Sequence, residues 1–69
     1  MTADEVEQLV RGVIVHGGLP FAILSVIKSP AGWDIHVRGS TGAMIRFTVF
    51  AGRPLSMRIA IQEKLEAAL

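Results

Sequence analysis

The sequence predicts a single small α+β domain, residues 1–69, in which a three-stranded antiparallel sheet packs against two helices in the order α-β-β-β-α. Three observations support this: helical apolar periodicity at both ends of the chain, three strand-like runs between them, and short connections rich in glycine and proline. Short connections favour an antiparallel meander, because parallel strands need long crossovers.

The first segment predicts a helix that ends at Gly17-Gly18. Thr2 and Glu5 have the spacing of a capping box, in which each side chain bonds the other residue's backbone N–H. Gly12 costs this helix about 1 kcal/mol relative to alanine, and we expect it to allow close packing against the sheet. The apolar stripe consists of Val6, Leu9, Val10, Val13 and Ile14.

Strands are predicted over residues 21–28, 33–38 and 43–50, separated by turns at 29–32 and 39–42. The second and third runs alternate between two faces, as half-buried strands do. One face carries Trp33, Ile35 and Val37, then Ala43, Ile45, Phe47 and Val49. The other carries Asp34, His36 and Arg38, then Met44, Arg46, Thr48 and Phe50.

The last helix is predicted to begin at Pro54, a residue suited to the first helical turn. Leu55 and Ile59 fall outside its apolar stripe, which predicts either a second contact with the sheet edge or a subunit interface. The stripe itself consists of Met57, Ala60, Ile61, Leu65 and Ala68.

The composition favours self-association. The chain is 51% hydrophobic, only 19% charged, and has a mean hydropathy of +0.49. Because such a small domain has little interior, part of its apolar surface should remain exposed. Exposed apolar surface of this kind usually marks an interface. We therefore expect a homodimer, which would also add stability to a short chain. The candidate interface residues are Met44, Phe50, Leu55 and Ile59.

Several classes of site are not expected. The chain has no cysteine, and its two histidines, His16 and His36, are far apart, so we expect neither a metal site nor a cofactor. The longest apolar run has four residues, which excludes a membrane span. Acidic residues near the start are unlike a signal peptide, and the cytoplasm is the expected location.

Charge is segregated along the chain. Residues 21–58 carry five basic side chains and one acid, whereas the flanking segments are mildly acidic. The outward sheet face is thus a solvated surface, an anion or nucleic-acid surface, or a mixed polar and apolar dimer face. The candidate nucleic-acid-binding residues are Arg38, Arg46, Arg53 and Arg58.

His36 is the one weak candidate for a catalytic residue. Asp34 and Arg38 lie two positions away on the same strand face, so a histidine oriented by a carboxylate beside a cation is geometrically possible. Such a group could act as general base in RNA cleavage. The same pattern is typical of an ordinary exposed strand, and we do not expect an enzyme.

The element order resembles that of double-stranded-RNA-binding domains, which place phosphate-binding lysines before an alanine at the start of the last helix. The matching stretch is Ser56-Met57-Arg58-Ile59-Ala60, with Met57 in place of the first basic residue. The resemblance implies duplex RNA binding. The topology is also similar to that of the small HicA-type ribonuclease toxins, which use a strand histidine; this implies a role for His36.

These observations order the functional hypotheses. The first is a non-enzymatic homodimeric interaction module, the second a nucleic-acid-binding domain, and the third a ribonuclease that depends on His36.

Overall fold

A computed structural model describes residues 1–69 and confirms the predicted α+β fold class and topology. The three strands form one antiparallel sheet in the order β1-β2-β3, so β2 is the central strand. Both helices pack against the same face of this sheet. The elements are α1 (Ala3–Gly17), β1 (Phe21–Ser29), β2 (Gly32–Gly39), β3 (Met44–Phe50) and α2 (Pro54–Ala67).

The core is a single cluster of ten buried apolar side chains between the helices and the sheet. The helical stripe of α1 and the predicted inner face of β2 both contribute to it, as their periodicities predict. The cluster comprises Val6, Val10 and Val13 of α1, Trp33, Ile35 and Val37 of β2, Val49 of β3, and Met57, Ile61 and Leu65 of α2.

The ends of α1 form as predicted. The Thr2 backbone N–H donates to Glu5 Oε1 at 2.8 Å, and the Glu5 N–H donates to Thr2 Oγ1 at 3.3 Å, which completes the capping box. At the other end Gly18 takes a left-handed conformation with φ of 61°. This lets the Leu19 N–H reach the Ile14 carbonyl oxygen at 3.0 Å.

The close packing predicted at Gly12 is wrong. A Cβ atom built on this residue would meet no neighbouring atom within 4 Å. Gly32 differs, because a Cβ there would overlap the Val49 carbonyl oxygen and lie 2.7 Å from the Ala51 nitrogen. The glycine that the fold requires for close approach therefore starts β2 and is not in α1.

A bulge in β1 changes which of its residues face the core. Ile23 pairs with Val37 of β2, but the next paired residue is Ser25, opposite His36, so Leu24 is left over. The residues that face inward are odd-numbered before the bulge, as at Ile23, and even-numbered after it, as at Val26. Sequence alternation did not predict this switch.

Helix α2 begins at Pro54 as predicted, after Arg53 at the N-cap position. Of its predicted stripe, Met57, Ile61 and Leu65 are buried and Ala60 is half-buried against the core, whereas Ala68 caps the helix end and is exposed. Neither α1 nor α2 has the length and hydropathy needed to cross a membrane.

Two glycine substitutions should have opposite effects on stability. Gly12→Ala should raise the free energy of unfolding by about 0.5–1 kcal/mol, because alanine favours the helix and meets no neighbour. Gly32→Ala should lower it by more, because the added Cβ overlaps backbone atoms. Urea unfolding followed by circular dichroism measures both; destabilisation by Gly12→Ala would contradict the open space at that position.

The capping box should be visible in a pH titration. The backbone N–H of Thr2, and secondarily its hydroxyl, lower the pKa of Glu5 by bonding its carboxylate. The folded-state pKa is depressed, so this stabilisation is complete above the ordinary pKa of a glutamate and is lost as the pH falls through the lower, folded-state pKa.

Carboxyl-detected NMR should give a Glu5 midpoint below that ordinary value. In Thr2→Ala the midpoint should rise only part of the way, because the backbone N–H remains. An ordinary midpoint in the wild type would contradict the capping box.

Candidate interaction surface on the sheet

The face of the sheet opposite the helices has no covering layer, and we call it the uncovered face. The strand register arranges its side chains in cross-strand rows. Those rows, from β1 through β2 to β3, are Ala22, Arg38 and Met44; Ser25, His36 and Arg46; Ile27, Asp34 and Thr48; and Ser29, Gly32 and Phe50.

Three basic side chains cluster on this face, and we call His36, Arg38 and Arg46 the basic cluster. His36 lies directly opposite Arg46, and Arg38 is the diagonal neighbour of Arg46, about 7–8 Å away. None of the three forms a salt bridge within 4 Å, since the chain's single salt bridge joins Arg11 to Glu7. The cluster is therefore a positively charged surface without an acid partner in the chain.

Asp34 is the one acid on the uncovered face, and it is not bonded to His36. Its Oδ1 accepts a hydrogen bond from Thr48 Oγ1 at 2.7 Å. Asp34, His36 and Arg38 do share a face, as predicted, but the carboxylate is held towards β3 instead of orienting the imidazole. His36 also lies outside the lining of every cavity.

Exposed apolar side chains flank the basic cluster. Met44 is 71% exposed and Phe50 is 76% exposed, at opposite ends of β3. On the β1 side, Leu24 at the bulge and Ile27 are also exposed. The uncovered face is thus neither uniformly polar nor uniformly apolar: the basic cluster lies towards its Met44 end, and Phe50 lies at the other end.

The arginines at the start of α2 lie apart from this cluster. Arg58 Nη2 lies 3.1 Å from His16 Nδ1 at the end of α1. Arginine can only donate, so this contact requires that nitrogen of His16 to be unprotonated. Arg53 is exposed at the N-cap of α2. The four arginines predicted to bind nucleic acid therefore do not form one surface.

The family motif at the start of α2 is not reproduced in three dimensions. Met57, at the position of the first phosphate-binding lysine, is only 2% exposed and belongs to the core. Arg58, the basic residue that fits the motif, bonds His16. The resemblance to double-stranded-RNA-binding domains is therefore one of topology.

The four candidate interface residues come from two different elements, β3 and α2. Leu55 and Ile59 are 70% and 51% exposed, on the side of α2 away from its buried stripe, and thus do not pack on the sheet edge. Met44 and Phe50 lie on the uncovered face.

The two edges of the sheet differ in how they are protected against pairing with another strand. β1 contains the bulge at Leu24, and Pro30 directly follows the end of the strand at Ser29. The β3 edge pairs with β2 over Met44–Phe50 without bulge or proline, and its outward backbone groups have no backbone partner in the chain. The signal was present in the sequence, because residues 44–50 contain no proline, glycine or lysine.

No group of three or more histidine, aspartate or glutamate side chains lies close enough together to hold a metal ion. No family model, curated protein or solved structure matches the chain. Its function is therefore inferred from its own surface.

Two lysine substitutions separate the core role of Met57 from a surface role. Met57→Lys should lower the free energy of unfolding by about 3 kcal/mol or more, because it buries an unpaired charge. Leu55→Lys, two residues earlier at an exposed position, should change it by less than about 0.5 kcal/mol. Thermal unfolding measures both; tolerance of Met57→Lys would contradict its place in the core.

Proposed function

We propose that this protein is a non-enzymatic cytoplasmic interaction module that forms a homodimer by antiparallel pairing of β3 with β3 of a second copy. The observation that carries the proposal is the unprotected β3 edge. A strand edge with free N–H and C=O groups is a template for pairing, and monomeric proteins usually disrupt it with bulges, proline or lysine. Here β1 contains a bulge, whereas β3 contains no bulge, proline or lysine, and its one charged residue is Arg46.

The sequence of β3 is self-complementary in one register. Pairing about a twofold axis at Phe47 places Met44 opposite the partner's Phe50 at both ends, and Ile45 opposite the partner's Val49. Aromatic and β-branched cross-strand pairs stabilise sheets by about 0.2–1 kcal/mol each. The exposed Met44 and Phe50 thereby gain apolar neighbours.

Charge favours the same register. Arg46 lies opposite the partner's Thr48, so the partner's Asp34 is two strand spacings away, at about 10 Å between Cα atoms. An arginine side chain can bridge that gap, and the Thr48 hydrogen bond already holds Asp34 towards this edge. A register centred on Arg46 would instead place two arginines opposite each other, which destabilises a sheet.

This pairing also extends the core. Ile45 and Phe47 are only half-buried in one copy because β3 is the edge strand. In the dimer each Phe47 lies beside the partner's Phe47 on the helix side of a six-stranded sheet. Removing apolar surface from water contributes about 25 cal/mol per Å².

Face-to-face packing of two uncovered faces is the less favourable arrangement. It would remove Arg38 and Arg46 from water beside the same groups of the second copy. Desolvating charges without oppositely charged partners costs several kcal/mol per ion. Edge pairing leaves both arginines in contact with solvent.

A charge-reversal series tests the register. Arg46→Asp should weaken dimerisation about tenfold or more, because it faces the partner's Asp34 with a like charge. Asp34→Arg should weaken it similarly, and the double variant Asp34→Arg/Arg46→Asp should recover affinity. Sedimentation equilibrium measures each dissociation constant.

Arg38→Asp is the matched control, since it reverses a charge on the same face but on β2, opposite Met44. It should leave the dimer intact. A monomeric wild type at millimolar concentration would overturn the proposal, and a double variant weaker than both single variants would overturn the register.

A further inference from the structure

We propose that the basic cluster binds the phosphate backbone of a single-stranded nucleic acid laid across the uncovered face. This is a second activity of the chain, and the site is complete in one copy. It uses charged groups that the core does not need.

The donors of the cluster are available and close together. Arg38 and Arg46 each present five N–H donors, and His36 lies opposite Arg46 and two residues from Arg38 on β2. None has an acid partner within 4 Å, and the one carboxylate of the face, Asp34, is bonded to Thr48. One guanidinium group can donate two parallel, charge-assisted hydrogen bonds to the oxygens of one phosphate.

The apolar flanks favour a single strand over a duplex. Phe50 and Met44 are the most exposed large apolar side chains of the sheet, at the two ends of β3. Unpaired bases can stack on or pack against such groups, whereas a duplex keeps its base faces inside. The start of α2, where duplex-binding domains hold phosphate, is unsuited because Met57 is in the core and Arg58 bonds His16.

The proposed dimer would extend this site, and this step alone rests on the proposed function. With β3 paired about Phe47, the two Arg46 side chains are diagonal neighbours near the twofold axis. The two basic clusters then form one diagonal band across the four central strands. Arg46 can bridge the partner's Asp34 and a phosphate at once, because it has five donors.

The test is fluorescence anisotropy with labelled oligothymidylate of about 12 nucleotides, within the usual site size for single strands. We expect binding for which the logarithm of the association constant falls with the logarithm of the salt concentration. The slope should be about −1.4 per copy, from two phosphate contacts. Arg38→Gln should weaken binding about tenfold and reduce the slope to about −0.7 per copy. Lys64→Gln, an exposed lysine on α2, is the matched control and should bind like the wild type.

Each result decides the proposal. Absence of binding at low salt, or equal binding by Arg38→Gln, overturns it. A blunt duplex of the same length that binds as tightly as the single strand also overturns it, because the apolar flanks would then play no part.

Sedimentation of the same samples keeps the two proposals separate, since Arg38 lies outside β3. A dimer without nucleic-acid binding defeats only this inference. A monomer that binds through Arg38 defeats only the proposed dimer.

Discussion

The structure is governed by one constraint: the chain has only two helices, and both are needed to cover one face of its three-stranded sheet. Ten apolar side chains fill the space between these layers, with Ile35 of the central strand fully buried. A chain of 69 residues buries only about 60% of the surface that its unfolded form exposes. The second face and the β3 edge are therefore left to solvent, and the apolar surplus of the sequence lies partly there.

Charge decides how that exposed surface can be used. Arg38 and Arg46 lie in the two rows at the Met44 end of the uncovered face, so apolar partners cannot cover that end without desolvating them. The β3 edge has no such barrier, because its charged and polar side chains point out of the sheet plane while its backbone groups point sideways. Edge pairing and phosphate binding are thus compatible uses of adjacent parts of one molecule.

Local patterns in the sequence were sufficient for the fold but not for the site. The capping box of Thr2 and Glu5 and the alternation around Ile35 involve near neighbours, and both are confirmed. The bulge at Leu24 and the contact of Arg58 with His16, 42 residues away, depend on tertiary packing. The grouping of His36 with Arg46 follows from strand register, which turn lengths only approximately determine.

An isotope-filtered NMR experiment on a mixed sample of labelled and unlabelled protein tests the central claim most directly. Met44 and Phe50 are six residues apart on one strand, about 20 Å, too far for a nuclear Overhauser effect within one copy. The β3 pairing predicts a cross-peak between the Met44 methyl group and the partner's Phe50 ring. A dimeric sample that lacks this cross-peak, or shows intermolecular contacts only at Leu55 and Ile59, would contradict the account.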